Sequence, residues 1–281
     1  MKLLRYGEES GEKWCILDHD GAIRTLDDAL ANITGDEMTL PWLEQLQRLD
    51  PEKLPLLKAE HRIGPCIPRP LNFVCIGLNY ADHAAETGGK IPQEPIIFLK
   101  SLSAFCGPYD DIIIPPGAKK TDWEVELGVV IGAKASRVPE DTALEYVAGY
   151  AVVNDVSERS YQTERGGQWD KGKGCDRFGP VGPWLVTKDE VPDPQALRLF
   201  CEVDGKTMQD GTTANMIFGV KMLVSYVSQF ITLYPGDIIA TGTPAGVGMG
   251  RKPEPVYLHP GQTLRLGVEG LGEQRAITIG G

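Results

Sequence analysis

Two carboxylates sit inside an apolar run at Glu124-Val125-Glu126, and a second apolar run, Val147–Val153, ends at Asn154-Asp155. If Trp123–Ile131 is a strand, its side chains alternate between faces, and Glu124 and Glu126 project from the same side. A neighbouring strand ending at Asp155 can bring a third carboxylate to that spot. Three anionic oxygen donors with no His or Cys among them suit a hard cation, Mg²⁺ or Mn²⁺ (or Ca²⁺), better than zinc. Three protein ligands on an octahedral ion leave positions open for substrate and water. The same alternation is also what an ordinary half-exposed strand shows, so the triplet needs company before it means a metal centre.

At 281 residues the chain can bury a full-sized core, as one large domain or one large and one small. The formal net charge of −11 and the lack of any Lys/Arg cluster argue against nucleic acid as a partner. The start, MKLLRYGEESGEKW, lacks the apolar core of a signal peptide, and no apolar run approaches membrane-spanning length. The six cysteines show no CxxC and no tight spacing, and several fall in strand-like runs. Reduced, buried thiols in a cytoplasmic protein without a membrane partner are expected. Serine-hydrolase, zincin and Walker signatures are missing. The glycine-rich Gly246–Gly250 lacks the spacing of a dinucleotide fingerprint and reads as a loop.

The pattern along the chain predicts a mostly β (α+β) fold with a rolled or closed sheet. Residues 1–67 read as a small N-terminal cap domain: strands at Lys2–Tyr6, Trp14–Leu17 and Ile23–Leu26, then short helices over Leu26–Ile33 and Trp42–Leu49. Pro65, Pro68 and Pro70 mark the boundary with 68–281. Beyond it, strands are expected at Phe73–Gly77, Ile96–Leu99, Ile112–Ile114, Trp123–Ile131, Val147–Val153 and Ile238–Thr241, with a hairpin at Asp204-Gly205 and an amphipathic helix over Val220–Ile231.

Other residues have the chemistry to serve such a centre. His83 and Glu86 lie three apart, so on a helix they share a face, and the carboxylate can orient the imidazole as a base for water. Asn79 is a credible N-cap and Gly88-Gly89 a hinge, which together suggest a mobile lid helix. Arg159 and Gln162, again three apart, can reach a substrate carboxylate or carbonyl. Lys171 and Lys173 stand among glycines, and Thr241-Gly242-Thr243-Pro244 ends a strand in a turn. Each of these has a plain surface reading as well, since Lys, Glu and His on a surface are common.

Across roughly residues 70–281 the chain resembles the fumarylacetoacetate hydrolase family. The resemblance rests on GLNYADHAAE, EPIIFLK, EVELGVVIG, GYAVVNDVSERSYQ, KGCDRFGPVGP and GDIIATGTPAGVG, in the family's order and at compatible intervals. The segment ERGGQWDKGKGCD is similar to bacterial members labelled 2,4-diketo-3-deoxy-sugar-acid hydrolase or ureidoglycolate lyase. The resemblance implies a mixed β-roll catalytic domain, usually a homodimer, with Mg²⁺ or Mn²⁺ on Glu124, Glu126 and Asp155. It implies His83 and Glu86 as a water-activating pair on a lid, and Lys173 rather than Lys171 as the lysine near the metal. Arg159, Gln162 and Thr243 match substrate contacts. The implied substrate is a small keto acid, cleaved at a C–C bond to pyruvate and a second acid. A ureidoglycolate lyase, a decarboxylase of the oxaloacetate kind, or a non-catalytic keto-acid binder could use the same centre. Cys175 and Arg177 depart from the family pattern, at positions expected near the substrate.

Overall fold

The computed structural model describes residues 1–281 except Ala59. Two sheets carry it. Nine strands run in the spatial order Ile23–Thr25, Lys13–Leu17, Lys2–Tyr6, Leu185–Thr187, Val147–Asn154, Val125–Ile131, Ile238–Ala240, Phe73–Gly77 and Ile96–Leu99. Five more run Lys206–Thr212, Arg198–Val203, Thr263–Val268, Gly272–Gly280 and Ile112–Ile114. The fold is mostly β, as expected, but neither large sheet closes. Ile23–Thr25 and Ile96–Leu99 end the larger sheet on opposite sides, so of the rolled or closed sheet expected, the closed alternative drops out and two open sheets pack on each other.

The central strands are apolar on both faces because both faces are covered. From Val125–Ile131, the side chains of Val125, Leu127, Val129 and Ile131 pack with Leu199, Leu264 and Leu266 of the smaller sheet and with Leu223, Val224 and Val227 of the helix Val220–Phe230. Val130, Ala151 and Val153 face the other way, into a second core with Leu3, Ile16, Trp42, Leu43 and Leu46. Each fully buried Val or Leu in these layers contributes about 1.5–3 kcal/mol. The segment read as a cap thus joins the larger part through that core and through the pairing of Lys2–Tyr6 with Leu185–Thr187.

Element boundaries differ where side chains compete for the backbone. The strand expected from Trp123 begins at Val125, since Trp123 N–H donates to Asp122 Oδ1 and Glu124 N–H to Asn154 Oδ1 instead of to a neighbouring strand's carbonyl. The first helices are short, Asp27–Leu30 and Leu40–Gln47, with Pro41 in the first turn of the second. The hairpin turn is as read: Asp204 and Gly205 both have positive φ, at 48° and 73°. Among the described residues no helix is long and apolar enough to cross a membrane.

Candidate metal centre and active site

Register builds the centre. Val125–Ile131 and Val147–Asn154 are antiparallel, with Val125 opposite Asn154 and Glu126 opposite Val153. Asp155 follows directly, and its N–H donates to the Glu124 carbonyl at 2.9 Å. One carboxylate oxygen from each of Glu124, Glu126 and Asp155 lies within 4.8 Å of the other two. All three residues are buried, so the half-exposed-strand reading fails. Ile238–Ala240 runs alongside, and the turn after it brings Gly242 N–H to Glu126 Oε2 at 2.8 Å.

The charge balance explains why a cation fits. Lys173 Nζ donates to Glu124 Oε2 and to Asp155 Oδ2, both at 2.7 Å, and Lys100 Nζ donates to Asp155 Oδ1 at 2.5 Å. Arg159 Nη2 reaches Glu124 Oε1 at 2.6 Å. Burial alone would push the Glu124 carboxyl up, but Lys173, Arg159 and His83 outweigh it and hold it well below the usual carboxylate range. Glu126 shares none of those cation contacts. Burial, then the charges of Asp155 and Glu124, drive its carboxyl well above its ordinary value. A buried carboxylate facing two others with one backbone N–H for a partner is what a divalent ion at this point would satisfy.

Lys173 owes its place to packing rather than to a loose glycine loop. It ends the short helix Asp170–Lys173, which lies against Arg159–Thr163 so closely that a Cβ on Gly172 would come 2.5 Å from the Glu158 carbonyl oxygen. Lys171 is exposed and donates to the Arg165 carbonyl. Phe98 lies beneath Lys173, with Nζ 5.0 Å from the ring centroid, and Trp169 packs edge-on against Phe98 at 5.3 Å.

A cavity of about 130 Å³ opens onto this centre, lined among others by His83, Glu124, Glu126, Gln162, Trp169 and Lys173. Its size suits a compact ligand. His83 and Glu86 share one face of the helix Ala81–Thr87. The His83 Nδ1 to Glu86 Oε2 distance is 3.6 Å, too long for a hydrogen bond, and Nδ1 has no protein partner among the described residues. Asn79 is not the helix cap. Tyr80 holds that position, while the Asn79 amide donates to the Phe218 and Thr241 carbonyls. Gly88 ends the helix in the left-handed conformation, φ 69°, as a C-cap and not a hinge within it.

Other expected contacts are placed as follows. Arg159 lines the cavity, yet its guanidinium is occupied by Asp122, Glu124 and the Gln162 carbonyl oxygen. That last bond turns the Gln162 amide nitrogen away from Arg159, and it has no protein acceptor among the described residues. Thr243 also lines the cavity, but its hydroxyl donates to the Val125 carbonyl and accepts from Gln209. Cys175 and Arg177, expected near the substrate, do not line this cavity. Arg177 pairs with Glu9 at 2.9 Å and faces a different cleft with Arg5 and Arg62.

Three residues escaped the sequence reading. Lys100 was visible only as the end of a strand, Asp122 as one more acid before Glu124, and Gln209 as a polar residue in a hairpin. The signal available for Lys100 was a lysine closing the apolar run Ile96–Leu99. If the triad holds a divalent cation, Lys100→Met is expected to weaken its binding or turnover about 10- to 100-fold, as for other groups that hold a metal ligand from behind. A metal titration followed by protein fluorescence checks it, and wild-type affinity together with wild-type turnover would show Lys100 to be idle.

A mostly β scaffold that gathers three buried acids and a buried lysine beside a small cavity is the frame of an enzyme. Residues 72–278 match the model of the fumarylacetoacetate (FAA) hydrolase C-terminal family, and the chain belongs to that family. It is 60% identical over 278 residues to a Burkholderia multivorans protein provisionally named a hydrolase, covering 99% of both chains. Among solved structures it is similar to fumarylacetoacetate hydrolase from the psychrophile Exiguobacterium antarcticum, at 33% identity and a TM-score of 0.83 over 100% of both chains. It is also similar to 5-carboxymethyl-2-hydroxymuconate delta-isomerase from Mycobacterium smegmatis, at 31% identity and a TM-score of 0.77, covering 100% of this chain and 99% of that one.

Proposed function

We propose that this enzyme hydrolyses a C–C bond of a 2,4-diketo (acylpyruvate-type) acid, such as 2,4-diketo-3-deoxy-L-rhamnonate or -fuconate, to pyruvate and a second carboxylic acid. The observation that carries the reading is the meeting of Lys173 and His83 on one small cavity with Glu124 and Glu126. Glu124, Glu126 and Asp155 would hold Mg²⁺ or Mn²⁺, which supplies Lewis-acid stabilisation to a 2-keto acid's carboxylate and keto oxygens. The Gln162 amide, which lines the cavity, would donate to a substrate carboxylate.

His83 removes a proton from the attacking water, and the water oxygen bonds to C4 of the diketone. Glu86 Oε2 stands 3.6 Å from Nδ1, on the side of the ring away from the proton transfer. As the tetrahedral carbon collapses, the C3–C4 bond breaks and its electron pair moves to C3 as an enolate. The Lys173 ammonium stabilises the negative charge as it develops. The proton that His83 took from the water is given back, directly or through solvent, to C3, which yields pyruvate and restores the base. The pairing of a base with an enolate-stabilising cation favours hydrolysis over simple decarboxylation, which needs no activated water. An isomerase of the kind found among the relatives would use the same enolate stabilisation with a proton shift in place of water attack.

The test is an assay of pyruvate release from an acylpyruvate. Turnover is expected with Mg²⁺, is lost after EDTA and dialysis, and returns when metal is restored. Glyoxylate release from ureidoglycolate in place of pyruvate would assign the lyase reading, and pyruvate release unaffected by EDTA would remove the metal-dependent mechanism. The homodimer belongs to the same proposal and is checked by light scattering.

A further inference from the structure

Glu86 has a bonding pattern that its place beside His83 does not explain. Both of its carboxylate oxygens accept from the Gly246 N–H, at 3.0 and 2.9 Å, across 160 residues of sequence. Gly250 closes the other side of the carboxylate: a Cβ there would lie 2.5 Å from Glu86 Cδ and 2.7 Å from Oε2. The loop that receives Glu86 is itself fixed from behind. The next free N–H groups, of Gly248 and Met249, donate to Asp122 Oδ1 and Oδ2 at 2.7 and 3.0 Å. Asp122 is fully buried and also holds Arg159 Nε at 2.9 Å. Gly246 has φ of +105°, and a Cβ there would meet the Met208 carbonyl oxygen at 2.1 Å, so the loop has little room to move.

We propose that Glu86 is a positioning residue that latches the helix Ala81–Thr87, and His83 with it, onto the rigid 246–250 loop by accepting the Gly246 N–H. The helix is only seven residues long and buries only His83 and Ala84, so little else in its own sequence holds it down. A second tie, Asn215 Nδ2 to Asp82 Oδ2 at 3.0 Å, sits at the start of the helix and leaves the end that carries Glu86 to the loop. The functional consequence, a base held over the keto acid, rests on the hydrolase reading, but the latch itself does not.

Hydrogen exchange of a peptide spanning residues 81–87, without substrate, tests it in three variants. Losing the acceptor is expected to speed exchange about tenfold or more in Glu86→Ala. Glu86→Gln keeps an acceptor oxygen and is expected to stay within about threefold of wild type, since backbone acceptance and not charge is what holds the helix. Gly250→Ala leaves every charge in place but crowds the carboxylate off its seat, and is expected to resemble Glu86→Ala. In turnover, Gly250→Ala is expected to lower kcat for the keto acid more than it raises KM, since His83 acts in the chemical step. Gln and Ala at position 86 exchanging equally fast, or neither departing from wild type, overturns the latch. Because exchange is read without substrate, a chain that hydrolyses no diketo acid can still pass or fail this test. If Gly250→Ala does not fold, the two Glu86 variants decide alone.

Discussion

Glu126→Gln is expected to give a chain that is more stable than wild type without metal and inactive with it. The substitution keeps the shape and leaves an oxygen to accept the Gly242 N–H. It removes one negative charge that burial and the neighbouring Asp155 and Glu124 already disfavour. In metal-free protein the folded state holds a proton on Glu126 more tightly than the unfolded chain does. Stability from this group is therefore fully present below the ordinary value of 4.5 and is lost as pH rises through the raised value. Gln does not titrate, so the stability gap between variant and wild type should open across that window and stay open above it. With Mg²⁺ the order reverses. Wild type gains about 2.7 kcal/mol at a hundredfold excess of metal over Kd, while the variant gains little. Turnover should fall by more than the roughly 10- to 100-fold typical of an outer partner. Melting curves in EDTA and in Mg²⁺ from pH 4.5 upward, beside a pyruvate assay, measure all of this. A variant that melts like wild type in EDTA at every pH and keeps its Mg²⁺ shift would sink the assignment.

Lys173→Met should be the most damaging single change to turnover that spares every metal ligand. The ammonium bridges Glu124 and Asp155 at 2.7 Å each, and those carboxylates hold its proton firmly despite full burial. Methionine matches its unbranched stem as far as Cε but leaves the two acids facing each other without a bridging cation. Breaking a buried pair from one side costs about 3–5 kcal/mol, part of which added Mg²⁺ should restore. On the proposed mechanism the rate should not return with it, because the lost charge would stand where the enolate forms, and a loss of about 100- to 1,000-fold in kcat is expected. Lys173→Arg is not a rescue: a planar fork cannot replace a point charge between two acids in so tight a space. Single-turnover rates measured at saturating metal separate the two effects, and a kcat within tenfold of wild type would reduce Lys173 to a structural role.

The acidic triad could be read from the chain because it depends on two regular quantities, the two-residue period of a strand and the end of its neighbour. Lys173 could be chosen over Lys171 only through the family resemblance, since both lie among glycines in one short segment. What was not legible depends on partners far apart in the chain. Asn79 looks like a helix cap because its type suits the task, but the Phe218 and Thr241 carbonyls claim its amide first. Arg159 looks free to grip a substrate until Asp122 and Glu124 are seen to occupy it. Arg177, placed by sequence near the substrate, follows the turn after Lys173 out to a different cleft. Whether the sheet is rolled or closed could not be decided from the chain, because strand count and glycine content say nothing about whether the first and last strands meet.

The sharing of one sheet by the front of the chain and the remainder has a practical meaning. Leu3 pairs with Leu185 and Lys2 with Val186, so a fragment begun after the prolines would bare the edge of Leu185–Thr187 and the apolar floor beneath it. Exposed edges of that kind recruit one another, and such a fragment would sooner clump than stand as a trimmed catalyst. Swapping or shedding the front segment to retune this enzyme means rebuilding three strands and their seam, not cutting a tether.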